Sequence, residues 1–235
     1  MGILPEFQYL LFPTNVTSSV ELPSTGKEIR IRPFVVKEEK LLIMAAESGE
    51  TREMIRAMQD VITACSNEII DGTKLPFFEL QNIFIKLRSN SIGEESEFNL
   101  VCGNCEDRRP FTLNLSDIQP KFFEGHTKKI PLTDDVGVIM RYPTASEALE
   151  GMMDTLDMVA TCIDVIYTNE ESVSTKDENP NDIKAFVNDL TPDLFAKIAE
   201  FFVTIPRIEH TIEYVCEKCE QKNTIIVDGI ESFFD

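Results

Sequence analysis

The chain has 235 residues and a formal net charge of −19, which comes from 41 acidic and 22 basic side chains. Nucleic-acid binding relies on Lys and Arg contacts to phosphate, so this charge argues against a DNA- or RNA-binding module. The apolar fraction of 43% is ordinary for a soluble protein that buries a core. Because its first residues do not form a secretory signal peptide, we expect a reducing compartment, in which the six cysteines serve as metal ligands or buried thiols.

Residues 1–19 are predicted to form an apolar N-terminal arm. Pro5, Glu6 and Gln8 interrupt the arm, which is too short to span a bilayer, so we expect no membrane partner. Two roles stay open for it: packing on its own domain, or docking onto a partner subunit. Its large side chains are Phe7, Tyr9, Leu10, Leu11 and Phe12.

The first domain is predicted at 20–120 and starts with a turn at Leu22–Gly26. A short strand follows, in which apolar and basic residues alternate from Ile29 until Pro33 ends it. The domain closes on a hairpin at 98–113, where two alternating apolar runs flank a Cys-x-x-Cys turn.

Three helices are predicted between this strand and the hairpin. The first covers 36–47, with Leu41, Leu42 and Ala45 on its apolar side. The second has an apolar face with a spacing of three and four residues that ends at Cys65, which is interpreted as a buried thiol rather than a ligand. The third begins after Pro76 and continues to Leu87.

Residues 121–129 are predicted to be a linker, and a second domain is predicted at 130–235. Its strand at 138–143 is followed by Thr144 and Glu147, which have the spacing of a capping box and predict the start of a helix. That helix is predicted to continue as far as Ile163.

The rest of the second domain is predicted to contain an acidic surface insertion, two helices and a second hairpin. The insertion at 168–182 is polar and poor in apolar residues. One short helix includes Ile183, and the next begins at Thr191 with a Pro in its first turn. The second hairpin at 211–227 again places a Cys-x-x-Cys between two strand-like runs.

The order of elements indicates a degenerate internal duplication, in which strand, helices and cysteine hairpin occur twice. The Cys-x-x-Cys motifs at Cys102 and Cys216 are 114 positions apart, and Pro33 and Pro143, which end the two strands, are 110 apart. Duplication predicts such similar offsets, although chance resemblance between similarly built elements is the alternative. The predicted fold class is α+β, with two repeats joined by one cysteine site that resembles a zinc ribbon.

The four motif cysteines, Cys102, Cys105, Cys216 and Cys219, are predicted to bind one structural Zn²⁺. A structural zinc site takes four ligands, and each hairpin supplies only two thiolates. Redox chemistry is disfavoured, because redox Cys-x-x-Cys pairs lie at a helix N-terminus and these pairs have strand-like flanks. Iron–sulfur ligation and a zinc shared between two chains stay open. Four thiolates leave no open coordination position, which argues against metal catalysis.

No catalytic residues are predicted, and we expect the protein not to be an enzyme. The two histidines, His126 in the linker and His210 before a strand, have no nucleophile arranged beside them in sequence. The chain has neither a Gly-rich phosphate loop nor a His-Glu-x-x-His motif. A constellation of carboxylates that assembles only in space stays open.

The chain resembles the baseplate hub proteins of T-even-type contractile-tailed bacteriophages. The resemblance rests on Ile31–Leu42, at the start of the first helix, and on the two Cys-x-x-Cys hairpins. It implies a non-enzymatic structural or assembly protein whose partners are other baseplate hub proteins. It also implies a location in the host cytoplasm during assembly and in the virion tail baseplate. A zinc-ribbon adaptor in transcription or nucleic-acid handling is the alternative, which the acidic charge disfavours.

Overall fold

A computed structural model describes residues 17–67, 69–150 and 155–227, so the predicted N-terminal arm lies almost wholly outside the described residues. Helices and strands both contribute, which confirms the α+β class. The chain divides into two compact units. The first comprises the residues up to Pro120 together with those from Ile208 onward, and the second comprises Lys121–Arg207. Both cysteine hairpins belong to the first unit, and the domain boundaries read from sequence stay a prediction.

Seven helices and twelve strands are present among the described residues. In chain order the helices are α1 (Val36–Ser48), α2 (Thr51–Cys65), α3 (Phe77–Ser91), α4 (Ala145–Glu150), α5 (Thr155–Cys162), α6 (Pro180–Asn188) and α7 (Pro192–Val203). The strands are β1 (Ser18–Leu22), β2 (Lys27–Ile31), β3 (Glu95–Val101), β4 (Arg108–Asn114), β5 (Pro120–Lys121), β6 (Lys129–Pro131), β7 (Val136–Met140), β8 (Ile163–Thr168), β9 (Ser172–Ser174), β10 (Arg207–Ile208), β11 (His210–Val215) and β12 (Lys222–Val227).

In the first unit, β1 and β2 form an antiparallel hairpin that is hydrogen-bonded to α3. The backbone amide of Ser24 in the hairpin turn donates to the Glu79 carboxylate at 2.8 Å, and the Asn82 side chain donates to the Glu21 carbonyl at 3.4 Å. These contacts give hydrogen-bond partners to polar side chains that α3 buries, which is the usual requirement for burying them. The buried apolar residues of the three helices include Ile55, Met58, Ile62, Leu80, Ile83, Phe84 and Leu87.

Helix α1 packs through a narrow face. Its buried residues are Glu38, Leu42 and Ala45, whereas Leu41, which was predicted on the same side, is exposed. The helix ends at Gly49, whose φ of 68° is the left-handed conformation that favours glycine after a helix C-terminus.

A buried polar contact holds the start of α1. The Arg32 guanidinium donates to the Glu38 carboxylate at 2.9 Å, and this carboxylate also accepts the Val35 amide at 2.7 Å, which satisfies a free amide at the helix start. The Arg32 amide donates to the carbonyl of Cys65 at 3.0 Å. These hydrogen bonds therefore hold the end of β2, the start of α1 and the end of α2 together.

The second unit contains an antiparallel sheet with strand order β6-β7-β8-β9. A core of buried side chains lies between this sheet and its helices, with Ile130, Val138, Met140, Val159, Ile163, Ile198 and Phe201 among its members. As the sequence predicts, Thr144 and Glu147 form a capping box: the Thr144 amide donates to the Glu147 carboxylate at 2.8 Å, and the Glu147 amide donates to the Thr144 hydroxyl at 3.2 Å.

The start of α4 has the same polar contact as the start of α1. The Arg141 guanidinium donates two hydrogen bonds to Glu147, both 2.8 Å, and the Arg141 amide donates to the carbonyl of Cys162 at 2.8 Å. Hydrogen bonding to this guanidinium lowers the pKa of Glu147 to about 2, against the opposing effect of burial.

Two details of the second unit differ from the sequence prediction. Helix α5 ends at Cys162, and Ile163 begins strand β8 directly, so the helix predicted to continue to Ile163 ends one residue earlier and a strand was missed. The acidic insertion at 168–182 is almost entirely exposed, as expected, but it includes strand β9. None of the described helices has the length and apolar character needed to cross a membrane.

Candidate metal centre

The turn between β3 and β4 has a compact backbone structure that places two thiols on one side. The Cys102 amide donates to the Asp107 carbonyl at 2.9 Å, and the Glu106 amide donates back to the Cys102 carbonyl at 3.0 Å. Glu106 has a φ of 56°, a left-handed conformation that lets the chain reverse within so few residues. Cys102 is buried and Cys105 is half-buried.

The turn between β11 and β12 has the same local structure. The Cys216 amide donates to the Gln221 carbonyl at 2.9 Å, and the Glu220 amide donates to the Cys216 carbonyl at 2.8 Å. Glu220 has a φ of 58°. Cys216 is buried and Cys219 is half-buried, so the first cysteine of each motif is the more enclosed one.

The structure brings the four predicted cysteines together within the first unit. Their sulfur atoms all lie within 4.8 Å of one another, a cluster that could hold a metal ion. The Sγ atoms of Cys102 and Cys219 are 3.7 Å apart, and those of Cys105 and Cys216 are 3.6 Å apart. Four sulfurs arranged tetrahedrally at roughly 2.3 Å from zinc lie roughly 3.8 Å from each other, so the spacing fits such an ion.

Hydrogen bonds and neighbouring sulfurs give the thiols different pKa values. Amides of Asn104 and Cys105 donate to the Cys102 sulfur and lower the pKa of Cys102 to about 6. The Asp107 amide acts in the same sense on Cys105, but desolvation and the adjacent sulfurs outweigh it and raise the pKa of Cys105 to about 12. Cys102 and Cys105 therefore do not ionise together unless a cation compensates their charge, and metal binding at such a site releases protons.

Asn223 links the two cysteine turns next to the sulfur cluster. The Gly103 amide of the first turn donates to the Asn223 side-chain oxygen at 3.1 Å. The side-chain nitrogen of Asn223 lies 3.6 Å from the Cys102 sulfur, to which it donates. Partners of this kind orient metal ligands and support their charged form.

Two ion pairs connect the hairpins through residues close in sequence to their cysteines. The Arg109 guanidinium donates to the Val215 carbonyl and to the Glu217 carboxylate, both at 3.3 Å. The Lys218 ammonium is 3.7 Å from the Asp107 carboxylate. These pairs are largely exposed, so each contributes little by itself, about 0–1 kcal/mol, and mainly aligns the two turns.

The two cysteine hairpins also share a buried apolar cluster. Leu100 and Leu113 of the first hairpin and Ile212 and Val227 of the second are buried in one cluster, with Ile85 of α3 beside them. Burying side chains of this size stabilises a fold by about 1.5–3 kcal/mol each. The sulfur cluster thus closes one end of a two-hairpin structure that already has an apolar interior.

The remaining cysteines do not take part in this site. Cys65 and Cys162 are fully buried, and burial raises the pKa of Cys65 to about 11 and that of Cys162 to about 12. Both are therefore neutral thiols, as predicted for Cys65. Among the described residues, the four motif cysteines are the one group of three or more potential ligands whose atoms lie close enough to hold a metal ion.

His126, placed in a linker by the sequence, is half-buried and packs against aromatic side chains of the second unit. Its ring stacks on Tyr142 and Phe201, with ring centroids 5.6 Å and 5.2 Å away. Its Nδ1 lies 2.9 Å from the Thr204 hydroxyl and its Nε2 lies 3.0 Å from the Tyr142 hydroxyl. Desolvation, followed by the charge of Lys128, lowers the pKa of His126. Both ring nitrogens thus lie at hydrogen-bond distance from hydroxyl groups, an arrangement that no local sequence motif indicates.

Comparison with known proteins agrees with the resemblance read from the sequence. The family model described as T4 bacteriophage base plate protein matches residues 14–235. The baseplate hub assembly protein gp26 of Enterobacteria phage T4 is 23% identical over 210 residues, which cover 89% of this chain and 94% of that protein. No solved structure matches the chain.

Proposed function

The chain belongs to the family of T4 bacteriophage base plate proteins, and we propose from this premise that it is a structural or assembly protein of a phage tail baseplate hub. The family match over 14–235 is the observation that carries the proposal. A relative of similar length is named a baseplate hub assembly protein, and the alignment covers most of both chains. The proposed partners are other baseplate hub proteins, and the proposed locations are the host cytoplasm during assembly and the virion tail baseplate.

The proposed role is not enzymatic. The four clustered sulfurs would occupy every position of a tetrahedral metal ion, which leaves none for a substrate or an activated water. His126 stacks on Tyr142 and Phe201, whose rings also stack on each other, and it serves there as a packing residue. A protein of this kind acts through its surfaces, by protein–protein contacts.

We propose that Cys102, Cys105, Cys216 and Cys219 hold one structural Zn²⁺ in a zinc-ribbon-like arrangement. The sulfur spacing, the all-thiolate donor set and the aligned turns support zinc. When bound, the ion supplies a crosslink between hairpins that are distant in sequence. Structural zinc in small peptides binds with about 10–16 kcal/mol of apparent free energy, comparable to the whole stability of a domain, about 5–15 kcal/mol.

We propose as well that the chain consists of two degenerate repeats, with domains at 20–120 and 130–235 joined by a linker at 121–129. The polar contact of Arg32 with Glu38 and that of Arg141 with Glu147 support this, because both start a helix in the same way. In each case the arginine amide also donates to the carbonyl of a buried cysteine further along the chain. The two cysteine turns share their hydrogen bonds and their one left-handed residue.

The proposed function is tested by following the tagged full-length chain through tail assembly in infected cells. Hub intermediates and finished virions are purified separately and searched for the chain by mass spectrometry. We expect it in the hub intermediates, and we expect that cells infected with a phage lacking the gene accumulate no complete baseplates. Normal baseplates without the gene, or salt-sensitive retention on nucleic acid with no tail protein bound, would favour the adaptor alternative instead.

A further inference from the structure

Helix α1 contributes little to the core of its unit. At 100° per residue, its buried residues Glu38, Leu42 and Ala45 span an arc of roughly 60°, and one of these three is the charged partner of Arg32. The helix is fixed by this ion pair and by its contact with α2 rather than by a wide apolar stripe. Most of its remaining side chains are exposed.

The opposite side of α1 exposes large apolar side chains. Val36 is 78% exposed, Leu41 48%, Ile43 51% and Met44 57%, and they span an arc of roughly 160°. Thirteen large apolar side chains are exposed among the described residues, and four of them lie on this one helix of 13 residues. Large apolar side chains gathered on one exposed helix face are typical of an interaction site.

Two lysines lie within the exposed apolar face. Lys37 and Lys40 fall in the same arc as Met44, and the Lys37 side chain is 76% exposed. The nearest acidic group to Lys37, the Glu38 carboxylate, is 3.5 Å away and is already paired with Arg32. The exposed carboxylate of Glu47 also falls in this arc, near the C-terminal end of the helix. Within a chain of net charge −19, the N-terminal half of this face therefore combines apolar anchors with two positive charges.

The exposed apolar side chains and the two lysines together indicate what kind of partner this face would bind. We propose that the exposed face of α1 binds an amphipathic helical segment of another baseplate hub protein, whose apolar stripe is bordered by carboxylates. The inference rests on the proposed function for the identity of the partner. Leu41 and Met44 are three residues apart, and Val36 and Ile43 are seven apart, spacings that suit helix-against-helix docking. Acidic borders on the partner helix complement Lys37 and Lys40. A second copy of this chain suits the face less well, because two chains of charge −19 repel each other.

The test measures binding of the purified full-length chain to each co-expressed hub protein of the same phage. Two double variants probe the face: Leu41→Ser with Met44→Ser removes apolar anchors, and Lys37→Glu with Lys40→Glu reverses its charge. We expect each to weaken binding to one hub protein at least tenfold. We also expect the charge variant to remove most of the salt dependence of that binding.

Matched controls separate a local effect from unfolding. Val203→Ser removes an apolar side chain that is 72% exposed in the second unit, and Lys27→Glu with Arg30→Glu applies the same charge change to exposed positions of β2. We expect both controls to bind like the wild type. The serine variants and the β2 control alter only exposed side chains and should keep the wild-type unfolding temperature. Because Lys37 lies 3.5 Å from the buried Glu38 carboxylate, Lys40→Glu alone repeats the charge test without disturbing that pair.

The outcomes distinguish the surface from the proposed function. A hub protein that binds the wild type and the α1 variants equally well would overturn the α1 assignment and leave the proposed function intact. Binding of the wild type to no hub protein would overturn the proposed function and with it this partner. Self-association of the wild type that Leu41→Ser with Met44→Ser abolishes, measured by sedimentation equilibrium, would identify a second copy as the occupant and overturn the proposal.

Discussion

Replacing both thiols of the second cysteine turn, Cys216→Ser with Cys219→Ser, should remove the metal and destabilise the first unit. Two ligands cannot retain a structural zinc that needs four. The apolar cluster between the hairpins keeps its side chains in this variant, so the lost crosslink sets the size of the effect. Cys102 and Cys216 are 114 positions apart, and crosslinking a chain segment of this length is worth about 5 kcal/mol in the chain-entropy model.

A loss of this size is measurable by heat or denaturant. For a unit of this size each kcal/mol corresponds to about 2–4 °C, so the unfolding temperature should fall by roughly 10–20 °C. Elemental analysis should give one zinc per wild-type chain and none for the variant. Hydrogen exchange should show faster exchange in β11 and β12 than in helix α3.

Cys65→Ala and Cys162→Ala are the matched controls, because both remove a buried thiol outside the cluster. Each should keep a full complement of metal, whatever its cost in packing. Full metal content in the Cys216→Ser and Cys219→Ser variant, or loss of metal in either control, would refute the ligand assignment. Loss of metal with an unchanged unfolding temperature would refute the proposed stabilising role and leave the ligands as assigned.

Three further predictions concern single residues. Gly72→Ala should cost about 1–3 kcal/mol in chemical unfolding, because an added Cβ would overlap the backbone oxygen of Gln59. Desolvation lowers the pKa of His126 in the folded protein below its unfolded value of about 6.5. The stability that neutral His126 contributes is therefore complete above this pH and is lost as the pH falls below it. His126→Gln should flatten the resulting drop in unfolding temperature between about pH 7 and 5. Arg88→Met should stabilise the first unit by about 1 kcal/mol, because one buried guanidinium nitrogen has no hydrogen-bond partner among the described residues while its stem packs as an apolar chain.

Each of these predictions has an internal check. Gly103→Ala should be neutral, since its nearest neighbour would be the Asn223 oxygen at 3.8 Å. A directly measured His126 pKa at or above about 6.5 would contradict the packing explanation. Clear destabilisation by Arg88→Met would show that the buried nitrogen has a partner, which a double-mutant cycle could then locate.

The four motif cysteines illustrate what a linear pattern determines. Each Cys-x-x-Cys turn is a local structure, because its hydrogen bonds and its left-handed residue all fall within six positions. The alternating apolar residues around it predict strands at the same short range. The sequence therefore determined both hairpins, which four of the six cysteines come together, the capping box at Thr144 and the family to which the chain belongs.

The tertiary structure alone decided how these pieces combine. The sulfurs of Cys102 and Cys219 meet because the two hairpins share an apolar cluster, and Asn223 and Arg109 join the turns through contacts spanning more than a hundred residues. No local spacing encodes such contacts. Leu41 and Leu42 are likewise adjacent in the sequence, yet Leu41 is exposed and Leu42 is buried. Which side of a helix is buried depends on the neighbouring elements that cover it. That difference is what makes the outer face of α1 available to a partner.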